Sequence, residues 1–221
     1  LYNDLEVDEI QVLDISASKY NKGPNPFMKN VFENCFMPIS YGGGIKSLKD
    51  AEKVFQWGVE KISFNITSVP ASFVKKVVER YGSQSVSLVV DFKRNLLKKY
   101  KVFDYKNRRK INLNLKEIKS YVSISSVGEV ILQDVSSDGL RNGFSIPEQI
   151  IREFINLNIQ VVAGGGIGSL KHIAHLFGKG VNGVTIGSYS IYASELEGVL
   201  ISYPSTEDFN DLYEIINHGN L

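Results

Sequence analysis

Residues 42–59 read GGGIKSLKDAEKVFQWGV, and residues 164–181 read GGGIGSLKHIAHLFGKGV. The second segment starts 122 residues after the first, and ten of the eighteen aligned positions are identical without a gap. The identities are the GGGI and SLK runs, Phe55/Phe177, Gly58/Gly180 and Val59/Val181. Each copy follows a short apolar run, residues 36–41 or 159–163, and each enters a helical pattern with Ser47 or Ser169 placed as N-cap. A strand, a glycine triplet and a helix N-terminus are the parts of a phosphate-binding turn. Glycine lets backbone N–H groups approach an anion, and the helix end is partially positive. Tight turning alone would account for one triplet; a matched pair points to two phosphate sites or a duplicated fold unit.

Outward from the repeat, short β-rich runs recur at 10–15, 37–41, 61–65, 85–91, 130–135, 159–163 and 183–187, separated mostly by helical patterns. In PASFVKKVVERYG, Pro70 suits the first turn, Phe73, Val74, Val77, Val78 and Tyr81 form an apolar stripe, and Gly82 stops the helix. Such alternation, with β-branched strands, implies a parallel sheet covered by helices. Seven strands are visible, whereas a closed (β/α)₈ barrel needs eight. The opening LYNDLEVDEI reads as the end of a helix, so the expected fold is an α/β (β/α)₈ TIM barrel of two half-barrel repeats. It forms one domain over residues 1–221, with the first βα unit absent from this sequence. One insertion breaks the alternation: residues 93–115 read as a β-hairpin with its turn near 105–109. Its KNRRK run suits either an acidic partner or a solvated loop.

Length and composition fit one soluble globular domain, with 43% apolar and 22% charged residues. The formal net charge of +1 gives no general argument for nucleic acid or an anionic membrane. One cysteine, Cys35, excludes an internal disulfide and suits a reducing, cytoplasmic compartment. It is expected in the core. No apolar stretch approaches the roughly 20 residues needed to cross a bilayer. His172 and His175 lack further Cys or His companions, so no metal is expected, nor any cofactor.

In a parallel barrel the βα loops at the C-terminal strand ends form the active face. Asp14, Asn65, Asp91, Lys93, Gln133, Asp134 and Asp138 fall at those ends. Carboxylates there can act as general acids or bases, and they can equally cap loops. Asn65 and Ser188 can donate hydrogen bonds to phosphate oxygens. Glu9, Lys61 and Glu129 lie at the opposite ends, each before or at the start of an apolar strand. Solvated rim charges are the plainest explanation for them.

The ordered motifs VDEIQVLDISAS, YGGGI, VEKISFN, SQSVSLVVDFKR, VGEVILQDVSSDG, AGGGIG and GVTIGS resemble strands two to eight of HisF, the cyclase-subunit family of imidazole glycerol phosphate synthase. The resemblance covers nearly the whole chain. It implies a barrel with twofold internal symmetry that takes ammonia from a HisH-like glutaminase and delivers it to a small-molecule substrate with two phosphates. It gives Glu9, Lys61 and Glu129 the part of charged gate residues at the ammonia entrance, and Glu60 that of an acidic glutaminase contact. Gly43, Gly44 and Asn65 match one phosphate site. Gly139, Gly165, Gly166, Gly187 and Ser188 match the other.

Departures accompany the match. The family's second catalytic Asp is expected near residues 115–117, where Glu117 is the nearest carboxylate; Asp14 and Asp91 are the other catalytic candidates. Ser136 replaces the family's acidic residue before Arg-Asp-Gly, and Leu140 replaces its threonine. ENCFMPISYGGGIKSL and the tail GVLISYP resemble HisF-like proteins of surface-polysaccharide clusters, which pair with a HisH-like glutaminase and work beside a sugar amidotransferase. Sugar amidation is therefore the leading expectation. The alternatives are an authentic imidazole glycerol phosphate synthase cyclase and a non-catalytic ammonia conduit.

Overall fold

The computed structural model describes residues 2–20, 22–191 and 201–217. In chain order the elements are β1 (Ile10–Leu13), α1 (Ile15–Lys19), α2 (Phe27–Phe32), β2 (Ile39–Gly42), α3 (Leu48–Phe55), β3 (Lys61–Asn65), α4 (Ala71–Tyr81) and β4 (Val86–Arg94). There follow β5 (Tyr100–Asp104), β6 (Arg109–Ile111), α5 (Leu115–Ser125), β7 (Glu129–Asp134), α6 (Glu148–Ile155), β8 (Gln160–Gly164), α7 (Leu170–Gly178), β9 (Gly183–Thr185), α8 (Ser188–Ile191) and α9 (Thr206–Asn217). The hydrogen-bonded strand order is β1-β2-β3-β4-β7-β8-β9, with β5 and β6 branching from β4. The registers at β1–β2, β2–β3, β3–β4 and β8–β9 are parallel, and helices separate most of the strands. This is the α/β barrel class of fold.

All seven expected runs are strands; 61–65 keeps its bounds and the other six shift at one or both ends. β1 stops at Leu13 because Asp14 turns to cap α1. β4 runs on to Arg94 because its end pairs antiparallel with β5, Phe92 opposite Val102 and Arg94 opposite Tyr100. The insertion therefore holds two turns, at 95–99 and 105–108, rather than one. At the start, residues 2–6 form successive turns, with Leu5 N donating to Tyr2 O and Glu6 N to Asn3 O. Of the GVLISYP tail, residues 198–200 lie outside the described residues.

The chain divides into two compact units: Leu1–Val89 with Asp104–Arg108 and Lys116–Glu129, and Val90–Phe103 with Arg109–Leu115 and Val130–Leu221. In the first, the stripe of α4 buries Val74, Val77 and Val78, and Gly82 ends that helix at φ +91°. The β2 side chain Tyr41 is fully buried in an aromatic group with Phe32 and Trp57, the Tyr41–Trp57 ring centroids lying 6.1 Å apart. Lys53 Nζ sits over the Trp57 ring at 5.6 Å. In the second unit, Leu132, Ile151, Phe154, Val161 and Ala163 are buried, and Phe92 meets Phe154 edge-on. No helix of the described residues is long and apolar enough to cross a membrane.

Candidate functional site

Strand starts bring three charges together in the first unit. Lys61 Nζ donates to Glu9 Oε2 at 2.9 Å and to Glu129 Oε2 at 3.1 Å. Glu9 immediately precedes β1, Lys61 opens β3 and Glu129 opens β7, so the side chains come from alternate strands of the order β1-β2-β3-β4-β7. Alternate strands contribute one layer of a barrel interior. Burial works against the Lys61 ammonium, but the Glu9 hydrogen bond and the charges of both carboxylates outweigh it and hold its pKa above the ordinary lysine value. Side-chain exposures of 20% for Lys61 and 13% for Glu129 mean that water screens the pair only partly. The picture of three separate solvated rim charges does not hold.

Polar groups continue along the same strand faces. Gln11 Nε2 donates to Ser63 Oγ at 3.3 Å, and Ser63 Oγ lies 2.7 Å from Ser87 Oγ. Ser63 and Ser87 are buried, as is Ser40 on β2. Composition did not flag these residues; strand parity does, since Gln11 follows Glu9 by two and Ser63 follows Lys61 by two.

At the first glycine turn, Gly43 and Gly44 take φ +132° and +72°, where glycine is favoured. A Cβ on Gly43 would lie 2.5 Å from Asp14 O, and one on Gly44 would lie 2.7 Å from Lys22 O. Ser47 caps α3 and accepts from Asp50 N at 3.1 Å. Asp50 Oδ2 in turn accepts from Lys46 N at 3.1 Å and Ser47 N at 2.9 Å. This reciprocal box engages N–H groups of the helix start that would otherwise face a phosphate, so the helix end is already served by its own carboxylate. The glycine backbone is what remains for an anion. Asn65, at the end of β3, accepts through Oδ1 from Thr67 N and Thr67 Oγ1. Beside the turn is a cleft of about 460 Å³ lined by Asp14, Ser16, Lys22, Gly23, Asn25 and Lys53.

The second unit repeats the arrangement. Gly165 and Gly166 take φ +99° and +82°. A Cβ on Gly165 would strike Asp134 O, and one on Gly166 would strike Gly143 O and the Ser137 side chain. Gly143 N donates to Gly166 O at 2.7 Å. Ser169 caps α7, and Gly168 N donates to His172 Nδ1 at 3.2 Å, which replaces the Asp50 contact of the first copy. Gly139 lies exposed in a turn at φ +76°, where Asp138 N donates to Asp134 O; Asp138 thus shapes the turn. Gly187 is exposed and Ser188 opens α8.

Two strand-end carboxylates serve loops. Asp14 Oδ1 accepts from Ala17 N at 2.9 Å and Ser16 Oγ at 2.7 Å, and its Oδ2 accepts from Tyr41 Oη at 3.2 Å. Burial pushes the Asp14 pKa up, yet these donors prevail and hold it below the ordinary value of 3.8. Tyr41 is pushed up to about 12 by burial, with the Asp14 charge adding to it. Asp134 is fully buried and accepts from Ser136 N, Ser145 N and Ser145 Oγ at 3.0, 2.8 and 2.6 Å. Asp14 and Asp134 therefore fold the loops that lie against the two glycine turns. Glu117 falls on the exposed first turn of α5 rather than at a strand end. Asp91 is buried on β4. Lys93 Nζ lies over the Phe103 ring at 4.5 Å, and Glu60 is exposed just before β3. Cys35 is half-exposed beyond α2, not in the core, because its segment leaves the helix at the surface. Among the described residues no group of three or more His, Cys, Asp or Glu side chains is placed to hold a metal.

Fold and repeated turn define an α/β barrel protein with twofold internal duplication. A family model described as "Histidine biosynthesis protein" matches residues 1–197. A Pseudomonas aeruginosa protein provisionally named imidazole glycerol phosphate synthase subunit hisF2 is 36% identical over 209 residues, covering 92% of this chain and 82% of its own length. A Leptospira borgpetersenii protein, with the provisional name imidazole glycerol phosphate synthase subunit HisF, is 35% identical over 96% of this chain and 85% of its own. A similarly named hisF3 of Vibrio vulnificus is 27% identical over 97% of this chain and 84% of its own. The chain belongs to the HisF-like family of histidine biosynthesis proteins.

Proposed function

We propose that this chain is the ammonia-receiving barrel subunit of a glutamine-dependent synthase. A HisH-like glutaminase docks near Glu60, and ammonia passes the Glu9–Lys61–Glu129 triad toward a phosphorylated acceptor. The triad carries the reading. The ammonium can release the more exposed Glu9 carboxylate toward water while it stays paired with Glu129, so the group can open without leaving Lys61 unpaired. Beyond it, Gln11, Ser63 and Ser87 offer donors and acceptors of a kind that a small neutral amine can exchange with. The paired glycine turns supply backbone N–H groups for phosphate oxygens, one at Gly43, Gly44 and Asn65, the other at Gly139, Gly165, Gly166, Gly187 and Ser188.

For the acceptor, Ser136 and Leu140 stand where the family's cyclases carry an acid and a threonine, which favours amidation of a sugar for a surface polysaccharide, beside a sugar amidotransferase. The second reading, an imidazole glycerol phosphate synthase cyclase, is favoured by the buried strand acid Asp91 and by the names of the relatives. The test of the triad is turnover by the reconstituted complex. Lys61→Ala is expected to lower glutamine-dependent turnover at least about tenfold while turnover with excess free ammonia changes far less. Equal loss with both nitrogen sources sinks the gate. Complementation of a HisF-deficient strain tests the cyclase reading: growth without histidine selects the cyclase, and no growth by a well-expressed protein excludes it.

A further inference from the structure

The net charge of +1 conceals a separation. Nine of the 25 lysines and arginines fall within residues 93–110 together with one of the 24 acidic residues, so this stretch carries +8 and the remainder −7. Within the second unit, β4 and β5 run antiparallel and set Lys93 directly opposite Lys101. Like charges in that position repel. Lys93 turns onto the Phe103 ring, and Lys101 Nζ donates to Asn112 Oδ1 at 2.5 Å. The turn joining the strands is held by Asn95: its N–H donates to Lys99 O at 2.8 Å, and its Oδ1 accepts from Lys99 N at 2.9 Å. At the tip of that turn Leu96 is 101% exposed and Leu97 77% exposed, with Arg94, Lys98 and Lys99 also exposed around them.

Two adjacent leucines largely in water, ringed by cations on a braced turn, are buried by none of the described residues. From this we infer that the β4–β5 turn docks the protein peripherally on an anionic lipid surface. The cations neutralise headgroup phosphates, and Leu96 and Leu97 enter the headgroup–acyl boundary. A nucleic acid or a purely acidic polypeptide would satisfy the cations and leave both leucines in water. Relief of the Lys93–Lys101 repulsion by bound anions adds to the attraction. The inference stands apart from the ammonia reading, since none of the residues involved belongs to the triad or the glycine turns.

Vesicle flotation with the whole chain tests it, using phosphatidylcholine with and without phosphatidylglycerol at low and physiological ionic strength. Binding is expected only with phosphatidylglycerol. Lys98→Glu with Lys99→Glu should weaken it by about fivefold or more per cation. Leu96→Ser with Leu97→Ser should abolish the part that survives physiological salt. Leu96→Trp should shift its emission to the blue on anionic vesicles, while Trp57, only 6% exposed, contributes a constant background. Full binding by the serine variant, an unshifted Leu96→Trp emission, or equal retention on duplex DNA or poly-glutamate regardless of the leucines would each overturn the inference. These positions are exposed, and matching circular dichroism spectra of the variants confirm that the fold is kept.

Discussion

Asp14 ends a strand and points its carboxylate at Ala17 N, Ser16 Oγ and Tyr41 Oη, a set of donors that an ionised oxygen pair satisfies better than any neutral side chain. Its folded pKa lies below 3.8, so its stabilisation is fully present above the unfolded value and is lost as pH falls through the lower, folded one. Asp14→Ala should cost on the order of 0.5–2 kcal/mol near neutrality, toward the lower end because the group is partly exposed. The gap to the parent protein should close below about pH 4 in urea unfolding series. A gap independent of pH would mean that the charge contributes nothing. Its place just past the C-terminal end of β1 is why the sequence suggests chemistry here. Glu9, Gln11 and Leu13 alternate with Ile10 and Val12, and Asp14, just past β1, turns to cap α1. The same alternation makes Lys61 and Ser63 neighbours on one face, and that much was readable. The Tyr41 hydroxyl that receives Asp14 could not be read, because it depends on the β1–β2 register.

The glycine turn is an element whose sequence and geometry agree closely. Gly58 takes φ +87° with open space around it, whereas Gly43 and Gly165 take positive φ with a carbonyl directly in the path of a Cβ. Gly58→Ala should therefore cost only the left-handed strain, about 1–2 kcal/mol. Gly43→Ala and Gly165→Ala should each cost clearly more, because the chain at Asp14 or Asp134 must also move, typically about 1–3 kcal/mol further. Thermal denaturation of the three variants orders them; equal losses would show that the facing loops yield freely. The Ser47 and Ser169 caps were legible from the SLK pattern because capping is local. The reciprocal use of Asp50, which occupies N–H groups otherwise offered to an anion, was missed, although its spacing of three from Ser47 is the sequence signal for it. The first turn of the insertion, at 95–99, was not legible: its Leu-Leu-Lys-Lys run carries no turn signal, and Lys98 adopts φ +59°.

Across the whole molecule, the seven parallel strands and the duplication were legible because hydrophobic period and glycine spacing are properties of the chain itself. The place of Glu117, in the first turn of α5, could not be read from the sequence, because a helix start after a long insertion has no fixed offset from the strand before it. The charge separation was hidden by adding up the whole chain before dividing it. One further property concerns observation rather than chemistry. Although the glycine turns are duplicated, the chain has a single tryptophan, and Trp57 packs against Tyr41, two residues before Gly43. The duplicated molecule is therefore optically one-sided. Phosphate titrated onto the first turn should change Trp57 emission, an effect lost in Gly44→Val, while occupancy of the second turn should pass unseen unless calorimetry counts it. A titration whose fluorescence saturates before its heat does would thus distinguish the two copies in a single unlabelled sample.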